Sequence, residues 1–240
     1  MKEEQARDAR DYISGGYFLV QRTPLPKNIS ELLPDKVLTV SDCFARVAPG
    51  LWAVDWENRS DKDRANEAAP FGIPAQALPE LVKWFSAEMG SDHPNAFSSV
   101  VLAREFYRRF VTADQPLIIG IGLQKTLLSS FHEQVVKDVN RGYGLVERVL
   151  RGQPIADGGR FLGYEPLGFE ATHFHTWLCH RAPDEVHSRF KTLPNENGLI
   201  STLSEAIQAT HYLIESGAEP AIWEPWLVTE YPPAKSATEN

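Results

Sequence analysis

The sequence predicts an α+β protein with a mixed, mainly antiparallel sheet flanked by three or more helices. Short aromatic and β-branched runs predict strands, and apolar residues at three- and four-residue steps predict helices. The two kinds of segment do not alternate regularly, which favours α+β over a parallel α/β fold. Hydrophobic residues make up 42% of the 240 residues, enough for a buried core. We expect a single domain over residues 1–231 and a disordered tail over residues 232–240.

The N-terminal quarter of the chain is predicted to be mostly strand. After a short exposed helix that ends near Gly15, strands are expected over residues 17–20, 37–40 and 51–56. Residues 57–70 are polar and show no apolar period, so a solvated loop is expected there.

Four amphipathic helices are predicted from apolar residues that recur on one face. They cover residues 79–90, 102–110, 127–139 and 203–216. Thr202 and Glu205 form a capping box before the last of these, and Gly217 ends it. A short helix over residues 173–180, capped by Thr172, is also expected.

Three further strands are predicted between and after these helices. A continuous apolar run over residues 117–121 indicates a strand that is covered on both faces. The other two cover residues 160–165 and 223–231, and Pro225 predicts an edge position or a bulge for the second. The side chains expected inside the core are Leu81, Phe85, Phe106, Ile119, Phe131, Leu162 and Ile207.

Charge and composition exclude several classes of function. The formal net charge of −8 disfavours binding to nucleic acid and suits a basic protein partner. No stretch approaches the roughly 20 apolar residues that cross a bilayer. The charged N-terminus lacks the apolar segment of a signal peptide, and the only cysteines are Cys43 and Cys179. A cytoplasmic protein with reduced thiols is therefore expected.

The segment from Ile119 to Thr126 combines a strand with two glycines, where a phosphate-binding loop is often found. A P-loop needs a glycine directly before its Lys-Thr pair, and Gln124 occupies that position. The dinucleotide fingerprint fails as well, because Lys125 replaces its third glycine. We expect no nucleotide cofactor, and we interpret the glycines as sites of close strand packing.

The densest group of reactive side chains lies between Thr172 and His180. If this segment is helical, His175 and Cys179 lie four residues apart on one face and form a potential pair of zinc ligands. A third ligand is not supplied locally, although Glu165, Glu170 or His187 could provide one, so no metal site is predicted. The cluster of His173, His175, Cys179 and His180 equally suits a thiol nucleophile with a histidine base, or buried histidines that hydrogen-bond around Trp177.

The C-terminal strand carries two tryptophans beside acidic residues. Trp223, Glu224 and Trp226 form a candidate protein interface, because exposed tryptophans are frequent anchors of such surfaces. The alternative is that both rings close the core.

Several segments of the last third carry a family resemblance. These are Phe161 to Glu165, Phe174 to Cys179, Asn195 to Ile200 and Trp223 to Val228. In these segments the chain resembles uncharacterised bacterial proteins of the kind found among immunity proteins of polymorphic toxin systems. The resemblance implies a small acidic cytoplasmic protein that binds another protein, and it carries over no functional residue.

The sequence therefore favours a non-enzymatic binding protein over an enzyme. The expected function is that of an immunity-type protein that masks a toxin or another basic partner. The alternative function is a zinc- or thiol-dependent hydrolase centred on the His/Cys cluster at residues 173–180.

Overall fold

The computed structural model describes residues 8–26, 29–49, 60–88, 96–113, 116–137, 144–170, 173–179 and 181–233, and all structural statements concern these residues. The strands are β1 (Tyr12–Val20), β2 (Thr23–Pro24), β3 (Lys36–Val37), β4 (Val47–Ala48), β5 (Leu117–Gln124), β6 (Arg160–Glu170), β7 (His173–Thr176) and β8 (Ile222–Tyr231). The helices are α1 (Asp61–Ala68), α2 (Leu78–Glu88), α3 (Val100–Phe110), α4 (Leu128–Lys137), α5 (Leu145–Leu150), α6 (Ala182–Phe190) and α7 (Leu203–Glu215).

Six of the strands form one antiparallel sheet in the order β4-β1-β5-β8-β6-β7. The short strands β2 and β3 pair separately. Strand β7 is the outer strand at one end of the large sheet and pairs with β6 from Leu167↔Thr176 to Glu170↔His173. The predicted α+β class is confirmed, and each strand pair in the described part of the chain is antiparallel.

The sheet has an apolar layer on each face. One layer contains buried residues of α2, α3, α6 and α7, and the other contains buried residues of α4, α5 and the segment 38–47. Strand β8 contributes to both layers, since its side chains alternate between the faces. Leu227 and Tyr231 face the first layer, while Trp226 and Val228 face the second.

The core prediction holds for six of its seven side chains. Those that are buried are Leu81, Phe85, Phe106, Ile119, Phe131 and Leu162. Ile207 is only half-buried, because it lies at the side of α7 and lines a small cavity. No helix among the described residues is long and apolar enough to span a bilayer.

The glycines of β5 permit close packing, as predicted. A Cβ atom at Gly120 would lie 2.9 Å from the ring of Tyr231 and 3.0 Å from that of Tyr17. Gly120 and Gly122 both lie within the strand rather than in a turn that leads into a helix. The segment therefore lacks the loop geometry of a phosphate cradle.

The expected edge position of β8 is wrong, because β8 lies between β5 and β6. Its pairing with β5 runs only from Leu227 to Tyr231, so its first half has one free side. There the side-chain amide of Gln134 on α4 accepts a hydrogen bond from the Trp223 N–H at 3.0 Å and donates one to the Trp223 carbonyl at 3.0 Å. A helix side chain thus bonds the backbone of Trp223 in place of the missing strand. Pro225, which has no N–H to donate, lies in this half of β8 that does not pair with β5.

The solvated loop expected over residues 57–70 is wrong for residues 61–68, which form α1. Ser60 caps this helix by accepting a hydrogen bond from the Asp63 N–H at 3.2 Å. The helix has only Ala68 buried, so it lacks the apolar stripe from which helices were predicted. Of the strand expected over residues 37–40, only Val37 is in a strand, and residues 51–56 lie outside the described part of the chain.

Candidate functional site

The helix expected over residues 173–180 is wrong, because residues 173–176 form β7. Alternation along this strand turns Phe174 and Thr176 into the core and leaves His173 exposed and His175 half-buried on the other side. Cys179 follows in a turn that is closed by a 3.1 Å hydrogen bond from its own N–H to the Thr176 carbonyl. Thr172 and His180, both predicted as part of this cluster, lie outside the described residues.

The structure brings a residue to this strand that sequence reasoning had not assigned to the site. The segment 39–43 runs along the outer edge of β7 and is bonded to it by side chains. The Ser41 hydroxyl donates to the Phe174 carbonyl at 2.5 Å, and an Asp42 carboxylate oxygen lies 2.7 Å from Nδ1 of His173. These contacts place Cys43 beside His175.

Cys43, His175 and Glu170 form a continuous chain of polar contacts. The Cys43 Sγ lies 3.9 Å from Nδ1 of His175, and Nε2 of the same ring lies 3.2 Å from a carboxylate oxygen of Glu170. The Cys43 and Cys179 thiols also interact electrostatically, since each shifts the pKa of the other. Both cysteines are free thiols; Cys43 is exposed and Cys179 is half-buried. A thiol, a base and a carboxylate that orients the base are the components of an activated nucleophile.

The environment distinguishes the two thiols electrostatically. The hydrogen bond from Cys179, followed by that from His175, lowers the pKa of Cys43 to about 4. The same contact with Cys43, together with burial, raises the pKa of Cys179. The pKa of His175 is raised, mainly by its hydrogen bond with Cys43. Near neutral pH the site therefore holds a Cys43 thiolate beside a protonated second thiol.

A buried carboxyl group joins the two segments that carry the cysteines. Glu165 on β6 accepts a hydrogen bond from the Thr39 hydroxyl at 2.5 Å and one from the Thr176 hydroxyl at 2.7 Å. Thr39 precedes Cys43 in the edge segment, and Thr176 closes the turn that carries Cys179. Burial raises the pKa of Glu165 to about 7. Glu165 therefore acts as a positioning residue for the thiol pair.

A cavity of about 410 Å³ opens beside Cys179. Its wall also contains Thr176 and residues of α6, α7 and the segment that leads into β8. Within the described residues, no cluster of three or more His, Cys, Asp and Glu side chains is arranged to hold a metal ion. Among the described residues, His175 contacts Cys43 and Glu170, and the Cys179 N–H donates to the Thr176 carbonyl.

The second predicted site has its side chains inside the protein. Trp223, Glu224 and Trp226 expose 2%, 2% and 0% of their surface, so the expectation of exposed interface anchors is wrong. Strand β8 lies within the sheet, and helix α4 covers Glu224, whose carboxylate accepts a hydrogen bond from Gln134 at 2.8 Å. The alternative, in which both rings close the core, is confirmed.

Comparisons of the chain with protein-family models, with curated proteins and with solved structures found no match. We therefore infer the function from the arrangement of Cys43, His175 and Glu170 and from the second thiol, Cys179.

Proposed function

We propose that this protein is a thiol-dependent enzyme that reduces disulfides, with Cys43 as the attacking thiolate and Cys179 as the resolving thiol. One observation carries the proposal: the only two cysteines of the chain, far apart in sequence, each shift the pKa of the other, and the Cys43 sulfur lies 3.9 Å from Nδ1 of His175. A hydrolase needs one thiol, whereas full reduction of a substrate disulfide by formation of an internal disulfide needs two.

In the first step the Cys43 thiolate attacks one sulfur of a substrate disulfide R–S–S–R′. The substrate S–S bond breaks, a new bond joins Cys43 Sγ to the R–S sulfur, and R′–S⁻ leaves. The charge that stabilised protonated His175 has now disappeared, so His175 gives its proton to the leaving thiolate. Glu170 keeps the ring oriented through its contact with Nε2.

In the second step Cys179 transfers its proton to neutral His175 and attacks Cys43 Sγ. The mixed disulfide breaks, a Cys43–Cys179 disulfide forms, and R–S⁻ takes the proton from His175. Two electrons have moved from the cysteine pair to the substrate, which leaves as two thiols. A dithiol reductant then returns the pair to its starting state.

The test is a single turnover of reduced, desalted protein with 2-hydroxyethyl disulfide, followed by the amount of 2-mercaptoethanol released. We expect two equivalents from the parent protein and one from Cys179→Ser, which retains a mixed disulfide on Cys43. Cys43→Ser should release little. The proposal is wrong if Cys43→Ser reacts as fast as the parent, or if the parent retains the adduct.

Variants of two histidines provide a matched comparison. His175→Gln should slow the reaction, because it removes the group that stabilises the thiolate and carries the proton. His132→Gln changes an exposed histidine of α4 outside the site, so it should react at the parent rate.

The immunity-type binding function and the resemblance behind it stay predictions. The net charge of −8 supports a basic partner, and the burial of Trp223 and Trp226 removes the surface on which the prediction depended. A pull-down from the source organism tests this prediction. Retention of one basic protein, equally by the parent and Cys43→Ser, would favour binding over disulfide exchange.

A further inference from the structure

A cavity of about 410 Å³ lies where α6, α7 and the start of β8 meet, and its wall is apolar in one part and polar in another. The apolar part includes Ala182, Leu213 and Trp223, which are buried. The polar part includes Glu185 and Ser216, which are exposed and mark the mouth of the cavity. The volume falls within the range of small-molecule sites, which commonly combine an apolar lining with a few polar groups.

The Trp223 ring gives the wall a fixed and flat apolar surface. Its Nε1–H donates a hydrogen bond to the Glu219 carbonyl at 3.0 Å, so the polar group of the ring is satisfied within the protein. The ring also packs closely on β6, since a Cβ atom at Gly168 would lie 2.5 Å from its Cε2. A ligand in the cavity therefore meets carbon atoms of a ring that is held in place from behind.

The hydroxyl groups of the wall already donate hydrogen bonds within the protein. That of Thr176 donates to Glu165 at 2.7 Å, and that of Ser216 donates to a carbonyl of α7 at 3.1 Å. The Tyr212 hydroxyl donates to the Glu185 carboxylate at the mouth. A carboxylate has about four acceptor sites, so Glu185 can accept a further hydrogen bond from a ligand. The polar end of a matching ligand is consequently a donor.

The wall offers no cationic side chain to an anion. Among the residues that the structure describes, it contains neither lysine nor arginine. A ligand that carries a carboxylate would lose hydration on entry without gaining a cation in exchange, whereas an uncharged ligand avoids this cost.

We propose that this cavity binds a small uncharged molecule with a flat apolar body and a hydroxyl end, and that the bound molecule covers Cys179, which also belongs to the wall. This binding site goes beyond the proposed disulfide-reducing function. Only its consequence for turnover rests on that function: a covered Cys179 does not resolve the mixed disulfide, so the ligand stops the reaction after the first step.

The first test measures binding by calorimetry with two probes of the same shape, 3-phenylpropan-1-ol and 3-phenylpropanoate. We expect the alcohol to bind and the carboxylate to bind roughly tenfold more weakly or not at all. Ala218→Trp fills the cavity from a half-buried wall position and should weaken binding of the alcohol by a similar factor. Ser188→Trp places the same ring at an exposed position of α6 outside the wall and should leave the affinity unchanged.

A second test keeps the wall intact and so does not depend on the folding of Ala218→Trp. In Cys43→Ser the only remaining cysteine is Cys179, and its alkylation by N-ethylmaleimide is followed by mass spectrometry. A saturating concentration of 3-phenylpropan-1-ol should slow this alkylation several-fold, and 3-phenylpropanoate at the same concentration should not. With the alcohol bound, the parent protein should release one equivalent of 2-mercaptoethanol from 2-hydroxyethyl disulfide instead of two.

The inference is overturned if the alcohol does not bind, if folded Ala218→Trp binds it as well as the parent, or if Cys179 is alkylated equally fast in its presence. Calorimetry and alkylation involve no disulfide exchange, so these results leave the proposed function standing. Failure of the parent to react with 2-hydroxyethyl disulfide in the absence of the alcohol contradicts the proposed function and leaves the binding site standing.

Discussion

The sulfur of Cys43 lies 3.9 Å from Nδ1 of His175, although the two residues come from segments that are distant in sequence. The edge segment 39–43 brings the thiol, and the outer strand β7 brings the imidazole. Cys179 completes the arrangement, since it contributes most to lowering the pKa of the same sulfur. The reactive side chains of the site therefore meet at the edge of the sheet.

The first prediction concerns the pH dependence of alkylation. Because the pKa of Cys43 is lowered to about 4, its reaction with iodoacetamide should be nearly independent of pH between 5 and 8. An ordinary cysteine, with a pKa near 8.5, reacts about tenfold faster for each pH unit over most of this range. Peptide mass spectrometry at each pH gives the rate for Cys43 and for Cys179, which should react much more slowly.

The same profile measured on variants identifies the cause of the lowered pKa. Cys179→Ser and His175→Gln each remove or weaken a hydrogen bond to the Cys43 sulfur, so the midpoint of the profile should move to higher pH in both. His132→Gln, on the exposed face of α4, should leave it in place. An unchanged midpoint in both of the first two variants would contradict the proposed activation of Cys43.

A second prediction follows from the two buried carboxyl groups Glu165 and Glu224, each with a pKa raised to about 7 by burial. A raised pKa in the folded state favours the protonated form, so this stabilisation is complete below the ordinary carboxyl pKa and is lost as the pH rises through 7. The contribution of these two groups to the free energy of unfolding should therefore fall between pH 5 and pH 8, whereas the lowered pKa of Cys43 adds stability over the same range. The loss is roughly 1–3 kcal/mol for each group.

Urea unfolding at both pH values measures this effect. The free energy of unfolding at pH 8 minus that at pH 5 should be more positive for the double variant Glu165→Gln and Glu224→Gln than for the parent protein. The single variants also separate support of the site from stability, since only Glu165 contacts the segments of both cysteines. Glu165→Ala should slow disulfide exchange, while Glu224→Gln should not; equal exchange rates would argue against a positioning role for Glu165.

Third, the amide of Gln134 should be a local determinant of stability. Gln134→Ala leaves the N–H and carbonyl of Trp223 without their partner, and unsatisfied buried groups of this kind cost about 1–3 kcal/mol each. Thermal or urea unfolding measures the loss. Glu133→Ala, an exposed neighbour on the same helix, should change stability by less than about 0.5 kcal/mol. Similar losses in both variants would indicate that the helix, rather than the amide contact, determines the effect.

The fold class and most elements were predictable because periodicity is a local property of the sequence. Apolar steps predicted α2, α3, α4 and α7, and the capping box placed the start of α7: the Thr202 hydroxyl accepts a hydrogen bond from the Glu205 N–H at 3.3 Å. Helix α1 was not predicted, because its sequence signal is a polar N-cap rather than an apolar stripe. The position of β8 inside the sheet was not predicted, because the hydrogen bonds of Gln134 to its backbone are a tertiary contact.

The candidate site was predicted only in part. Sequence reasoning named His175 and Cys179, and it placed Glu165 and Glu170 among their possible neighbours. It interpreted the segment as a short helix capped by Thr172, although the alternation of His173, Phe174, His175 and Thr176 suits a strand. Cys43 could not have been assigned, because its approach depends on long-range contacts of the edge segment. The number of cysteines was the one available signal.

The most direct test of the thiol pair is a map of its disulfide after reaction with one equivalent of 2-hydroxyethyl disulfide. Tryptic digestion without reduction separates the peptide of residues 37–46, which contains Cys43, from that of residues 161–181, which contains Cys179. We predict that these two peptides are recovered joined by a disulfide and that reduction separates them. Recovery of both peptides unlinked, with the thiols free or each carrying the reagent, would contradict the proposed function.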